Sequence, residues 1–171
     1  MKEKTLLLMR HAKSDWHSDA ERDFDRPLNK RGRRDAPRMG RWLLDNGLVP
    51  ERVLASPARR ARETLEAMLK EWPREPELVW EEDIYGGGSR TLLELINATP
   101  DRVSILLLLG HNPDLEDLLL MLAERPPGRG VKKLLPTAAI ARLHFQGSWR
   151  SLAPEGAVLE EIVRPKDLPS E

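Results

Sequence analysis

The chain has 171 residues, enough for one well-buried core and short for two. With 40% hydrophobic and 33% charged residues it reads as a soluble globular domain, and 28 basic side chains balance 28 acidic ones, so net charge gives no reason to expect nucleic acid or a membrane as partner. Cysteine is absent, which removes disulfides, thiolate catalysis and cysteine-ligated metals and suits a cytoplasmic protein.

In chain order, the first apolar run is Thr5–Met9. It is too short for a signal-peptide core or a membrane span, and its length suits a strand buried on both faces. Residues 30–46 read as a helix with Met39, Trp42 and Leu43 facing the core and Gly47 as the stop; Pro37 predicts a kink or a late start. Arg52–Ala55 is a short strand. Residues 58–72 follow as a helix, with Ala61, Leu65, Met68, Leu69 and Trp72 on one face and Pro73 behind it. Tyr85–Ser89 is a glycine-rich loop. Leu92–Ile96 and Asp114–Ala123 are further helices, with a strand, Val103–Leu109, between them. Residues 124–136 read as a loop, Ala138–Phe145 and Ala157–Val163 as closing strands, and Pro165–Glu171 as a frayed tail. Strands alternating with helices predict an α/β fold, a three-layer α/β/α sandwich on a mainly parallel sheet. It forms one domain over residues 1–164.

Ligands of open α/β sheets bind beyond the carboxyl ends of the strands. Three predicted strands end in polar residues there: Arg10-His11-Ala12-Lys13-Ser14, Ser56-Pro57-Ala58-Arg59-Arg60 and Gly110-His111-Asn112-Pro113. The topology thus brings two histidines and at least two arginines to one edge. Arg10 at the end of a buried strand needs a partner. Ser56 is as readily a helix cap as a phosphate contact, and Lys13 and Ser14 are balanced between phosphate contacts and loop residues. His17 and His144 read as structural or exposed.

These residues resemble the histidine phosphatase (phosphoglycerate-mutase-like) superfamily. Arg10-His11-Ala12 is similar to its first motif, Ser56-Pro57-x-x-Arg60-Ala61-x-x-Thr64 to its second, and Gly110-His111-Asn112-Pro113 to its third. The short length and Asp23-x-x-Arg26-Pro27-Leu28 resemble the SixA-like phosphohistidine phosphatase branch. The resemblance implies a phosphoglycerate-mutase-like fold without a large inserted subdomain and a reaction needing neither metal nor cofactor. It makes His11 the nucleophile and Arg10, Arg60 and His111 the phosphate pocket, with Lys13, Ser14, Ser56 and Asn112 as further substrate contacts.

A histidine nucleophile must be neutral, and neighbouring arginines lower its pKa; His111 serves best protonated, which predicts opposite charge states for the two rings. An alkoxide leaving group needs a proton donor, whereas an imidazole leaving a phosphohistidine can already carry its proton near neutral pH. Candidate donors are Glu82 and Asp83 first, then Tyr85 and Asp23. The expected substrate is a phosphorylated protein or a small phosphorylated molecule. The expected function is a phosphohistidine phosphatase, with a broad phosphomonoesterase and a non-catalytic phosphate-binding module as rivals. Lys132-Lys133 is a candidate dock for an acidic protein substrate.

Overall fold

The structure, a computed structural model, describes residues 2–127 and 133–169. Lys132 of the lysine pair and the last two residues of the tail lie outside the described residues. The elements are β1 (Glu3–Arg10), α1 (Lys30–Asp45), β2 (Arg52–Ala55), α2 (Arg59–Leu69), β3 (Glu77–Trp80), α3 (Ser89–Asn97), β4 (Ile105–Gly110), α4 (Asp114–Leu122), β5 (Ile140–Gln146) and β6 (Val158–Val163).

One six-stranded sheet has the order β3-β2-β4-β1-β5-β6. β3, β2, β4 and β1 pair in parallel, while β5 runs antiparallel to both β1 and β6. The apolar runs are continuous because each strand face is covered. Leu7, Met9, Val53, Ala55, Leu107 and Leu109 pack on one side with Met39 and Leu43 of α1 and Leu65 and Met68 of α2. Leu6, Leu8, Leu54, Leu106 and Leu108 pack on the other with Leu92 and Ile96 of α3 and Leu115, Leu118 and Leu122 of α4. This period-two partition of each strand makes the three layers.

It also positions the site. Arg10 of β1 lies in register with Gly110 of β4, and Ala55 of β2 with Leu109, so these parallel strands end level. The chain leaves β1 toward α1 on one face and leaves β4 toward α4 on the other. Adjacent strands whose connections diverge leave a crevice at their carboxyl ends, the switch point of an α/β sheet.

Several local expectations are revised. α1 begins at Lys30 and runs through Pro37, so no late start occurs; Asn29 caps it, its side chain accepting the Gly32 N–H at 2.9 Å. Past its end, Gly47 takes φ 67°, a left-handed position that glycine adopts without a steric penalty. α2 stops at Leu69 rather than residue 72, but Trp72 remains buried and donates its indole N–H to the Gly40 carbonyl at 2.9 Å. β3, not anticipated, pairs with β2 at the sheet edge. The tail is not frayed over Pro165–Asp167, which form a 3-10 turn; Arg38 reaches the Pro165 and Pro169 carbonyls, and Leu168 packs against the core.

Candidate active site

His11 follows β1 directly and is fixed from both sides. Its backbone N–H donates to the Gly110 carbonyl at 3.1 Å, tying it to the end of β4. The next N–H, of Ala12, donates to Thr64 Oγ1 at 3.0 Å, while the Thr64 hydroxyl donates to the Arg60 carbonyl at 2.7 Å. Thr64 therefore joins the first-strand loop to α2 and sets His11 against Arg60. At Gly32, a Cβ would stand 2.2 Å from the Lys13 carbonyl, so only glycine lets α1 come this close to the same loop. Replacing Thr64 by valine would leave the Ala12 N–H buried without an acceptor. The expected loss is about 1–3 kcal/mol of stability, read by urea denaturation, with a lower kcat as the loop slackens.

The imidazole proton is placed by chemistry. His11 Nδ1 lies 2.7 Å from the Ala12 carbonyl, which can only accept, so Nδ1 carries the hydrogen. Nε2 is then the lone-pair nitrogen, and Arg60 Nε–H donates to it at 3.3 Å. The rings of His11 and His111 are 5.1 Å apart across the crevice. His111 Nε2 lies 2.7 Å from Ser56 Oγ, whereas His111 Nδ1 and Arg10 Nε are buried without a hydrogen-bond partner among the described residues. Arg10 itself finds the partner that its burial requires, donating from Nη1 to the Leu135 carbonyl at 3.3 Å.

These groups line a pocket of about 200 Å³ together with Lys13, Ser14, Trp16, Asp23, Arg26, Asn112 and Thr137. Ser56, expected among the substrate contacts, is fully buried, does not line the pocket and meets His111 Nε2, so its role here is to orient that ring. Asn112 also has another role. Its Nδ2 donates to Glu116 at 3.0 Å and to the Leu135 carbonyl at 2.9 Å; both are acceptors, which fixes the amide orientation and commits its N–H groups to the loop. Lys13 and Ser14 are in the pocket wall, and Ser14 Oγ accepts from Arg26 Nη1.

The candidate proton donors reorder. Glu82 and Asp83 are exposed on a 3-10 turn and do not line the pocket. Asp23 does. Its carboxylate accepts from Arg60 Nη2 at 3.0 Å, from Arg26 Nε at 2.9 Å and from the Tyr85 hydroxyl at 2.7 Å. Burial opposes its charge, but the Tyr85, Arg26 and Arg60 contacts outweigh that and hold its pKa near 2. Tyr85, a candidate donor, spends its hydroxyl proton on Asp23, and Arg26 is the site-forming residue that sequence reasoning gives no role, signalled only by the spacing Asp23-x-x-Arg26. The Arg26 guanidinium also lies over the Trp16 ring, 3.5 Å from its centroid.

His11 is held neutral, its pKa lowered to about 3, with burial as the largest cause and His111, Arg60 and Arg10 adding to it. The expected lowering by neighbouring arginines is present, with burial as the larger cause. The opposite-charge expectation is corrected. His111 is lowered to about 4, by burial first and then by Arg60, so both rings are neutral at pH 7. Because both values fall below the ordinary 6.5, the unfolded chain takes up protons first as pH drops. Their contribution to stability is complete above pH 6.5 and is lost as pH falls toward about 4 and then 3. The urea midpoint is expected to decline through that window, and less steeply in His111→Asn; a flat midpoint in the wild type would contradict this.

Among the described residues, no group of three or more His, Cys, Asp or Glu side chains is arranged to hold a metal, and no helix is long and apolar enough to cross a membrane. His17 is exposed, and His144 pairs with Glu160 at 2.5 Å on the sheet, away from the pocket.

The model of the histidine phosphatase superfamily (branch 1) matches residues 6–84. A candidate phosphohistidine phosphatase SixA from Nakamurella multipartitia superposes with a TM-score of 0.80 at 32% identity, covering 96% of this chain and 98% of that one. The protein histidine phosphatase SixA complexed with tungstate gives 0.77 at 26% identity, over 96% and 99%. An uncharacterized protein of Mycobacterium tuberculosis is 36% identical over 156 residues, 88% of this chain and 96% of that one.

Proposed function

Because this chain belongs to the histidine phosphatase superfamily, in its SixA-like branch, we propose that it is a phosphohistidine phosphatase acting on proteins in the cytoplasm. In this mechanism His11 Nε2 attacks phosphorus in line and the bond to the leaving imidazole nitrogen breaks. Water then hydrolyses the phosphorylated His11. Catalysis of phosphoryl transfer is mostly positioning and charge stabilisation on the equatorial oxygens. Arg10, Arg60 and His111 Nδ1 supply the donors, and a bound dianion draws a proton onto His111. An entering phosphoryl group competes with Asp23 for the Arg60 fork, since both are anions seeking the same N–H groups. The tungstate complex of the SixA relative is consistent with an oxyanion pocket of this kind.

The observation that carries the choice of substrate is the state of Asp23. The carboxylate in the pocket wall accepts hydrogen bonds from Arg60, Arg26 and Tyr85, which favour its anion and hold its pKa below the usual carboxylate range, so it is poorly suited to give a proton to an alkoxide. A phosphohistidine needs none, because its leaving imidazole protonates near neutral pH. The pocket is small, and Trp16 beside it is 67% exposed, an accessible rim against which a protein-borne ring can rest.

The presence of Asp23 in the wall favours one second reading, a general phosphomonoesterase in which a bound ester raises its pKa. Asp23→Asn separates the two. Phosphoramidate and ester hydrolysis are expected to change in parallel, with their kcat/KM ratio within about threefold of wild type. A selective loss of ester hydrolysis by about 10²-fold or more would make Asp23 the acid and the esterase the better account.

A further inference from the structure

A second cavity, of about 470 Å³, opens on the face formed by α1, the chain before β5 and the C-terminal turn. Six cationic side chains line it: Arg31, Arg34, Arg38, Lys133, Arg164 and Lys166. The whole chain is electrically balanced, so this concentration is a local asymmetry rather than a consequence of composition. Among the described residues, two carboxylates meet these cations. Asp35 is buried and meets three arginines at once, Arg38 at 3.3 Å and Arg31 and Arg34 at 3.6 Å. Asp167 is taken by Arg164 at 3.1 Å. Among the described residues, two carboxylates stand against six cations, and Lys133 and Lys166 have no acidic partner within salt-bridge distance.

The cavity is also built rather than incidental. Arg38 is anchored by Asp35 and by the Pro165 and Pro169 carbonyls, with its side chain only 14% exposed, and Leu168 and Pro136 give the walls an apolar floor. Thr137 lines both this cavity and the catalytic pocket, so the two adjoin at one residue. An anion at the first can therefore belong to the molecule whose phosphoryl group occupies the second.

We infer that this basic cavity is an accessory subsite for an acidic segment of the protein that carries the phosphoryl group. The inference rests on the phosphohistidine reading for the identity of the substrate, but not for the affinity of the cavity for acidic chain. Continuity with the catalytic pocket favours a segment of the substrate over an independent small polyanion. Exposed ion pairs are individually weak, and several acting together at the rim give a moderate, salt-sensitive gain in affinity.

Steady-state kinetics on the full chain compare a phosphohistidine peptide flanked by Glu and Asp with the same peptide flanked by Gln and Asn. The acidic flanks are expected to lower KM about tenfold with little change in kcat. The advantage should vanish at high salt and in Arg31→Gln/Arg34→Gln/Lys166→Gln, whose hydrolysis of small phosphoramidate stays at the wild-type rate. Equal KM values for the two peptides, or an advantage that survives in the triple variant, would overturn the inference. If neither peptide is hydrolysed, the phosphohistidine reading falls, and binding of unphosphorylated octaglutamate decides the cavity alone. Binding by wild type and not by the triple variant upholds it; no binding, or binding of tripolyphosphate in place of the peptide, overturns it.

Discussion

His11→Ala is expected to lower kcat on phosphoramidate by about 10⁴-fold or more, because it removes the atom that accepts the phosphoryl group. The fold should survive. The ring is held by its own neighbouring carbonyl and by Arg60, while the strand-end register rests on the backbone bond to Gly110, which alanine keeps. Removing a buried neutral ring also relieves the proton-linked destabilisation that His11 causes at low pH. The variant should therefore bind oxyanions through Arg10, Arg60 and His111 and release almost no product. A variant that kept its turnover while folded would mean that water attacks phosphorus directly.

Arg60→Ala is expected to cost about 10²–10³-fold in kcat/KM, measured on the same substrate, with Arg60→Lys recovering only part of it. Each nitrogen of this guanidinium has a stated task. Nε faces His11 Nε2 at 3.3 Å, Nη1 donates to the Asp23 carbonyl at 2.8 Å, and Nη2 to the Asp23 carboxylate at 3.0 Å. Lysine restores a charge but not the planar fork, so it can stabilise the phosphoryl group without aligning it. The alanine variant also loses the anchor of the loop that bears Asp23, and binding should weaken along with turnover. A loss confined to binding, with kcat unchanged, would show that Arg60 does not act in the transition state.

Much of this arrangement was legible before any coordinate. Continuous apolar runs at Thr5–Met9 and Val103–Leu109 mark strands buried on both faces, and parallel strands put their polar exits on one edge. Arg10, His11 and His111 follow from that as neighbours of the arginines after β2, and the resemblance of the second motif singles out Arg60 among these. What escaped depends on side-chain packing rather than on pattern. β3 offers only Leu78, Val79 and Trp80 between acidic residues, too short a signal for an edge strand. Ser56 and Asn112 carry the chemistry of phosphate contacts, yet burial turns one toward His111 and competing acceptors claim the other. The charge of His111 is not legible in the sequence because burial, which no spacing reveals, exceeds the pull of the nearby Asp23 carboxylate. Asp23 ranked behind Glu82 and Asp83 because a loop of unknown path gives no direction. Its spacing to Arg26 was the clue, and the contacts to Arg60 and Tyr85 complete it.

If His11 is the nucleophile, a phosphoryl group is held covalently on it during turnover. Phosphohistidine survives alkali, so the enzyme is mixed with saturating phosphoramidate, quenched in base within the first turnover, digested and mapped by mass spectrometry. The expected result is one phosphoryl group, on the peptide containing His11, and none on the His11→Ala variant. A phosphoryl group on any other residue, or an unmodified chain while the first turnover of product is released, would contradict the account.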